Sequence, residues 1–251
     1  MSFSTTGMFT WLYHTFVSYP LYNGLIFLTG LFPFFDAGVI VIIFTVIVKL
    51  ILLPLSIKAS RAQIEMKSIE KGLNEIKEKY KDNKEEQSKK TIELYREKGI
   101  NPFASFFILL IQLPIIIGLY QVFLKSGLPA INIEILYSFV PAPETVNMMF
   151  LGLLHIAEKS VLLAVIAGVT TYFQISLASA ATKPDPNAKG TSADIARAMS
   201  VQMKYVFPVI VTFISYSISS ALAIYWITSN LFAFGQEIYI KKKYHKSVFV
   251  E

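Results

Sequence analysis

The sequence predicts an all-α integral membrane protein of five transmembrane helices, with its N-terminus outside the cell and its C-terminus in the cytoplasm. Hydrophobic residues make up 54% of the 251 residues, and the mean hydropathy is +0.53, which is typical of membrane proteins. Several runs reach the roughly twenty apolar residues that a spanning helix needs. Basic residues collect on one side of those runs. The predicted spans are about 38–57, 103–124, 160–178, 204–217 and 220–238.

Composition excludes several chemistries. The sequence has no cysteine, so thiolate metal sites, disulfides and a cysteine nucleophile are absent. His14, His155 and His245 show no metal-ligand spacing. The spans carry no Ser/His or paired-Asp constellation, which makes an intramembrane protease a weak alternative. We therefore expect no catalytic residue, no metal and no cofactor.

The N-terminal segment, residues 1–37, contains no Lys or Arg. A cleaved signal peptide normally starts with basic residues, so we expect this N-terminus to be retained. Aromatic residues precede the proline-broken stretch LIFLTGLFPFF. This composition favours an amphipathic helix lying at the outer membrane interface over about 20–33. An additional, partly embedded segment within 8–33 is the open alternative.

The first span, GVIVIIFTVIVKLILLPLSI, contains one charge, Lys49. An ionisable group near mid-membrane costs roughly 3 kcal/mol on insertion scales, so it usually faces protein or a water-filled cavity. The alternative is that the long Lys49 side chain snorkels to the cytoplasmic headgroups.

A charged domain, residues 58–100, follows the first span. It holds twelve basic and nine acidic residues, too many charges to lie in lipid. Apolar residues from Met66 to Tyr80 are spaced 3, 4, 3, 4, and the pattern resumes after a turn at 81–83. This predicts a cytoplasmic antiparallel helical hairpin. A solvated spacer between two spans is the other interpretation.

Polar residues interrupt the second and third spans. Gln112 and Pro114 lie within 103–124, and a proline in a membrane helix frees a carbonyl that water or a neighbour must satisfy. Residues 125–159 are expected to form an external loop with a small interfacial helix. The third span contains Thr170, Thr171 and Gln174, which either bind a neighbouring helix or line a cavity. Residues 179–203 form a polar cytoplasmic loop.

About thirty uncharged residues, 205–235, are more than one crossing requires. Two crossings with a seam at 215–220 place the tail, 239–251, in the cytoplasm. Twenty of the twenty-three Lys and Arg residues are then cytoplasmic, as the positive-inside rule requires. The fourth span, about 21 Å long, is shorter than the ~30 Å hydrocarbon layer, so local bilayer thinning is expected.

Several motifs resemble the YidC/Oxa/Alb family of membrane protein insertases. They are FTVIVKLILLPLSIKA before the charged hairpin, KGINPFASFFILLIQLPIIIGLY after it, and FPVI and YWITSN near the end. Together they cover about residues 20–243. No large extracytoplasmic domain precedes them, so the sequence resembles the short bacterial form. The family carries an arginine where this sequence has Lys49, and lysine holds a carboxylate less rigidly.

The resemblance implies a polar intramembrane groove that accepts the hydrophilic tails of nascent membrane proteins. By position, the groove residues are Lys49, Thr45, Gln112, Gln174, Tyr225 and Trp226. For the two glutamines the alternative is interhelical hydrogen bonding, and for the Tyr-Trp pair it is core packing. The basic tail, Lys241, Lys242, Lys243 and Lys246, is expected to contact the ribosome or a targeting receptor; a positive-inside anchor explains the same residues.

The resemblance also implies a bacterial plasma membrane location, the Sec translocon and membrane lipid as partners, and no DNA. Two other functions compete with insertion. One is a small-anion transporter or channel that uses Lys49. The other is an assembly scaffold that holds spans together without inserting them.

Overall fold

The computed structural model describes residues 5–99, 115–118, 120–121, 131–179, 198 and 200–248. Helices dominate, so the all-helical class is confirmed apart from one short β-hairpin, while the number of spans stays a prediction. The helices are α1 (Thr5–Tyr13), α2 (Tyr19–Leu31), α3 (Ala37–Ser68), α4 (Glu70–Lys79), α5 (Lys84–Glu97), α6 (Val161–Ser179), α7 (Phe207–Ile218) and α8 (Ser220–Val248). Strands β1 (Met149–Phe150) and β2 (Leu154–His155) are antiparallel, and π-helical segments, His14–Ser18 and Gln202–Val206, precede α2 and α7.

The chain divides into two compact units. The first comprises Met1–Ile51, Leu110–Thr171 and Pro208–Phe232, and the second comprises Leu52–Leu109, Tyr172–Phe207 and Ala233–Glu251. Helices α3, α6 and α8 each contribute residues to both units.

Two helices within the described part of the chain are long and apolar enough to cross a membrane, Ala37–Arg61 and Val161–Ala178. They coincide with the predicted first and third spans. Residues 115–118 and 120–121 of the predicted second span are helical, and the rest of that span lies outside the described residues. Helix α7 has 12 residues, about 18 Å at 1.5 Å per residue.

The boundary between α7 and α8 lies at Ser219, within the predicted seam. Helix α8 begins where the predicted fifth span begins, but it continues to Val248, ten residues beyond the expected end at 238. No proline or glycine follows 238 to stop it, and the lysines of residues 239–248 favour helix.

One face of α3 carries the core of the first unit. Ala37, Ile40, Val41, Phe44 and Thr45 are all buried, with the 3,1,3,1 spacing of a single helix face. Further along α3, Ile47, Leu50 and Ile51 are exposed. The first seven residues of α8, Ser220–Trp226, are buried on every side, as expected of a helix surrounded by protein.

The external loop differs from the sequence prediction. We expected a small interfacial helix between 125 and 159, but the described part of the loop contains a 3-10 turn, Ile133–Ile135, and the β1–β2 hairpin. Leu151 and Gly152 have φ angles of 51° and 71°, which a right-handed helix cannot contain. The tip of the hairpin is Leu151-Gly152-Leu153.

The charged segment contains a helical hairpin, α4 and α5, at the position that the sequence predicts. Its helices are joined through residues 80–83, and the Asn83 side chain caps α5 by accepting a hydrogen bond from the Glu86 N–H at 3.1 Å. The predicted first arm is not one helix, however. Helix α3 continues to Ser68, and the chain breaks at Ile69, whose φ is −99°.

Candidate functional site

Lys49 lies on the protein-facing side of α3. It is half-buried and follows the buried Thr45 by one helical turn, whereas the next two residues, Leu50 and Ile51, are 52% and 70% exposed. The Thr45 hydroxyl donates to the Val41 carbonyl at 2.6 Å, which satisfies it within its own helix. The structure therefore places Lys49 and Thr45 one turn apart on one face of α3, with Lys49 less exposed than the two residues that follow it.

Tyr225 and Trp226 are adjacent in the buried start of α8. Their side chains are 2% and 7% exposed, values of core residues. This degree of burial is what the packing alternative expects for the free protein. Contact of either ring with a substrate stays a prediction.

A buried polar network joins α6 to α8 in the first unit. The Asn230 side-chain nitrogen donates to the Thr171 hydroxyl at 2.7 Å, and it lies 3.2 Å from the Thr170 hydroxyl and 3.4 Å from the Ala167 carbonyl. The sequence marked both threonines as candidates for helix association or cavity lining. Sequence analysis did not identify Asn230, although a side-chain amide within an apolar span already indicates a polar contact.

The second unit contains Gln174 and a further polar pair. Gln174 is half-buried on α6. Gln236 of α8 donates from its side-chain nitrogen to the Ser56 hydroxyl of α3 at 2.7 Å. Both members lie in apolar stretches, where an interhelical hydrogen bond replaces water, and sequence reasoning missed the pair. Gln112 lies outside the described residues.

A close contact between α6 and α7 depends on Gly168. A Cβ at this position would collide with the Thr212 hydroxyl and approach the Pro208 carbonyl oxygen to 3.0 Å. Small residues let membrane helices approach closely. Gly168 thus sets the separation of these two helices.

Basic residues of the second unit lie among tyrosines. The Lys204 ammonium is 5.6 Å from the Tyr172 ring centroid and 5.4 Å from that of Tyr205. Lys243 donates to the Tyr239 hydroxyl at 3.2 Å, and Lys242 and Lys243 are exposed. The backbone of all four tail lysines belongs to α8. Lysine and tyrosine are typical of the membrane interface.

Within the described residues there is no group of three or more His, Cys, Asp or Glu side chains that could hold a metal ion. An open cavity of about 440 Å³ lies along α1 and the π-helical segment after it, and none of the predicted site residues lines it. Its lining is Gly7, Thr10, Trp11, His14, Thr15 and Tyr19.

Comparison with known proteins gives consistent similarities. The family model described as 60Kd inner membrane protein matches residues 27–247. The membrane protein insertase YidC of Clostridium tetani is 35% identical over 210 residues, 84% of this chain and 84% of that protein. YidC of Fusobacterium nucleatum is 34% identical over 82% of this chain and 86% of its own length. YidC of Francisella tularensis subsp. novicida is 30% identical over 82% of this chain, which is 33% of that longer protein.

Proposed function

Because this chain belongs to the 60Kd inner membrane protein family, the YidC/Oxa/Alb family that its motifs resemble, we propose that it is a membrane protein insertase of the bacterial inner membrane. The similar proteins of Clostridium tetani and Fusobacterium nucleatum are named membrane protein insertases. Their similarity extends over most of both chains, so the proposal concerns the whole core.

The proposed topology has five spans, with the N-terminus outside and the C-terminus inside. The charge distribution supports it, since twenty of twenty-three basic residues are cytoplasmic in this arrangement. The break at Ser219 supports two crossings in the last apolar stretch. Helix α7 continues from the π-helical segment Gln202–Val206, which carries Lys204, and its short uncharged part supports a locally thinned bilayer.

The position of Lys49 carries the proposed mechanism. A cation on the protein-facing side of an apolar spanning helix needs a polar surrounding, because its desolvation is costly. We propose that this surrounding is a groove open to the cytoplasm, lined by Lys49, Thr45, Gln112, Gln174, Tyr225 and Trp226. Three of the six, Thr45, Tyr225 and Trp226, are buried in the free protein, so the proposal requires the groove to open around them when a substrate binds.

The proposed reaction is physical rather than chemical. A hydrophilic tail enters the groove from the cytoplasm, and Lys49 attracts it when it is acidic. Water in the groove and the thinned bilayer lower the cost of moving polar groups. The apolar helix of the substrate leaves between the third and fifth spans, and the hydrophobic effect drives its release into lipid.

The cytoplasmic hairpin and the basic tail are the proposed contacts for the ribosome or a targeting receptor, with the Sec translocon as a further partner. The exposed Lys242 and Lys243 support an electrostatic contact. The only nucleic acid that the tail is proposed to contact is ribosomal RNA.

Reconstitution tests the function. Purified protein in liposomes is expected to insert a short single-span substrate with an acidic tail. Photocrosslinkers at Thr45, Gln174 and Trp226 are expected to label the nascent chain, whereas one at the exposed Ile51 is expected to label lipid. Equal labelling from all four positions would contradict the groove. Uptake of small anions without insertion would favour a transporter, and binding of substrate without insertion would favour a scaffold.

A further inference from the structure

The tip of the β-hairpin is unusually apolar and exposed. Leu151 and Leu153 are 64% and 78% exposed, and Met149 is 40% exposed. Leu151 also has a φ of 51°, a left-handed conformation that tight turns normally assign to Gly, Asn or Asp. Together, Leu151, Leu153 and Met149 form an exposed apolar patch, and such patches mark sites that contact a membrane or another protein.

Hydrogen bonds fix this tip at the N-terminal ends of two helices. The Asp36 carboxylate, just before α3, accepts from the Leu151 N–H at 3.1 Å. The Ala37 N–H donates to the Asn147 carbonyl at 2.8 Å. At the start of α8, the Ser220 N–H donates to the Glu158 carbonyl at 2.8 Å. The tip is therefore held where α3, an apolar helix of spanning length, begins.

The surroundings of the tip indicate lipid as the apolar partner. Residues 145–157 contain no Asp, Glu, Lys or Arg. The next lysine along the chain is Lys159, and its ammonium lies 5.8 Å from the ring centroid of Tyr216. A lysine beside a tyrosine is typical of the headgroup level of a membrane. Other loop residues of the same unit, Phe34, Ile133 and Phe139, are at least 70% exposed. An acyl-chain environment is costly for any charge, and this uncharged stretch with its exposed apolar neighbours fits one.

We propose that the hairpin tip, Leu151-Gly152-Leu153, inserts into the outer leaflet of the membrane and anchors this loop there through its apolar side chains. Its placement in the outer leaflet rests on the proposed topology. Inserted there, the tip holds the hydrogen-bonded ends of α3 and α8 at the membrane surface. Fluorescence quenching at the tip does not depend on insertase activity, so a failure of the anchor and a failure of the proposed function are distinguishable.

Single-cysteine labelling tests the anchor, since the natural sequence has no cysteine. Leu153→Cys carries a polarity-sensitive fluorophore in liposomes whose lipids bear quenchers on the acyl chains. Ile51→Cys, an exposed position of the first spanning helix, is the lipid-facing control, and Glu144→Cys, an exposed position of the same loop as the tip, is the water-facing control. All three replace exposed side chains, so each variant is expected to fold.

We expect the label at position 153 to lose most of its fluorescence to the quencher, as at position 51, with a blue-shifted emission. The label at 144 is expected to stay unquenched. Quenching at 153 no greater than at 144 would overturn the proposal. A blue shift that disappears as the protein is diluted in lipid would also overturn it, since the partner would then be a second copy of the chain.

Discussion

The side-chain nitrogen of Asn230 in α8 lies 2.7 Å from the hydroxyl of Thr171 in α6. This hydrogen bond joins the helices that correspond to the predicted third and fifth spans. Lipid is as apolar as the side chains around it, so membrane helices associate through packing and polar contacts of this kind. In the proposed function the substrate leaves between these two spans, and Asn230 holds them together in the free protein.

Replacing Asn230 by leucine is expected to destabilise the fold by about 0.6 kcal/mol and at most about 1.7 kcal/mol, the average and the maximum for interhelical hydrogen bonds in membranes. Thermal unfolding in detergent measures the change. Thr228→Val is the matched control, since the Thr228 hydroxyl donates only to the Ile224 carbonyl of its own helix, at 2.8 Å. If both variants unfolded at the temperature of the natural protein, the hydrogen bond of Asn230 would contribute nothing to helix association.

Two identical substitutions test the packing of α6 on α7. Gly168→Ala is expected to cost about 1–3 kcal/mol, because the new methyl group overpacks the contact with Thr212 and the Pro208 carbonyl. Gly235→Ala is expected to leave stability unchanged or raise it by up to about 1 kcal/mol, since nothing lies within 4 Å of its Cβ position and alanine favours helix. Unfolding temperatures that change equally in the two variants would contradict the assigned contact.

Asp36 caps α3 and fixes the hairpin tip. Its carboxylate accepts from the Val39 N–H at 2.9 Å and from the Leu151 N–H at 3.1 Å. Asp36→Ala is expected to cost about 1–2 kcal/mol through loss of the cap. Hydrogen exchange is expected to accelerate at the amides of residues 39 and 151. The Ile156 amide, which donates to the Met148 carbonyl, is the internal reference and is expected to change least. Unchanged exchange at residue 151 would contradict the role of Asp36 in fixing the tip.

The basic tail is expected to bind ribosomes by charge. Replacing Lys241, Lys242, Lys243 and Lys246 by glutamine is expected to weaken co-sedimentation with ribosomes and to flatten its dependence on salt, since fewer counterions are released. Lys159→Gln is the control for the loss of a positive charge, because the proposed topology places Lys159 on the outer side of the membrane, away from ribosomes. Ribosome binding that persists without the tail lysines would contradict this contact and would favour their role as a positive-inside anchor.

Features encoded by short stretches of sequence were predictable. Apolar runs predicted α3 and α6, and the serine-rich seam predicted the break at Ser219, because hydrophobicity and length determine both. The turn at 81–83 was also predicted, and in the structure Asn83 at its end caps α5. The family was also predictable from the motifs around Lys49 and Gln112, and the comparisons confirm it.

Features that depend on distant partners were not predictable. The β-hairpin has strands of two residues, too short for a periodic pattern, and it is fixed by Asp36, which precedes Leu151 by 115 positions. The Ser56–Gln236 hydrogen bond joins residues 180 positions apart. Asn230 was visible as a polar residue, but its threonine partners follow only from the packing of α6 against α8.

In the proposed mechanism, the Lys49 cation on the protein-facing side of the first span captures acidic substrate tails. Liposomes containing Lys49→Ala, Lys49→Arg or the natural protein are compared for insertion of the single-span substrate, with Lys159→Ala as a charge control. The alanine variant is expected to insert least, the arginine variant at least as much as the natural protein, and the control normally. Equal insertion by all four proteins would contradict the claim.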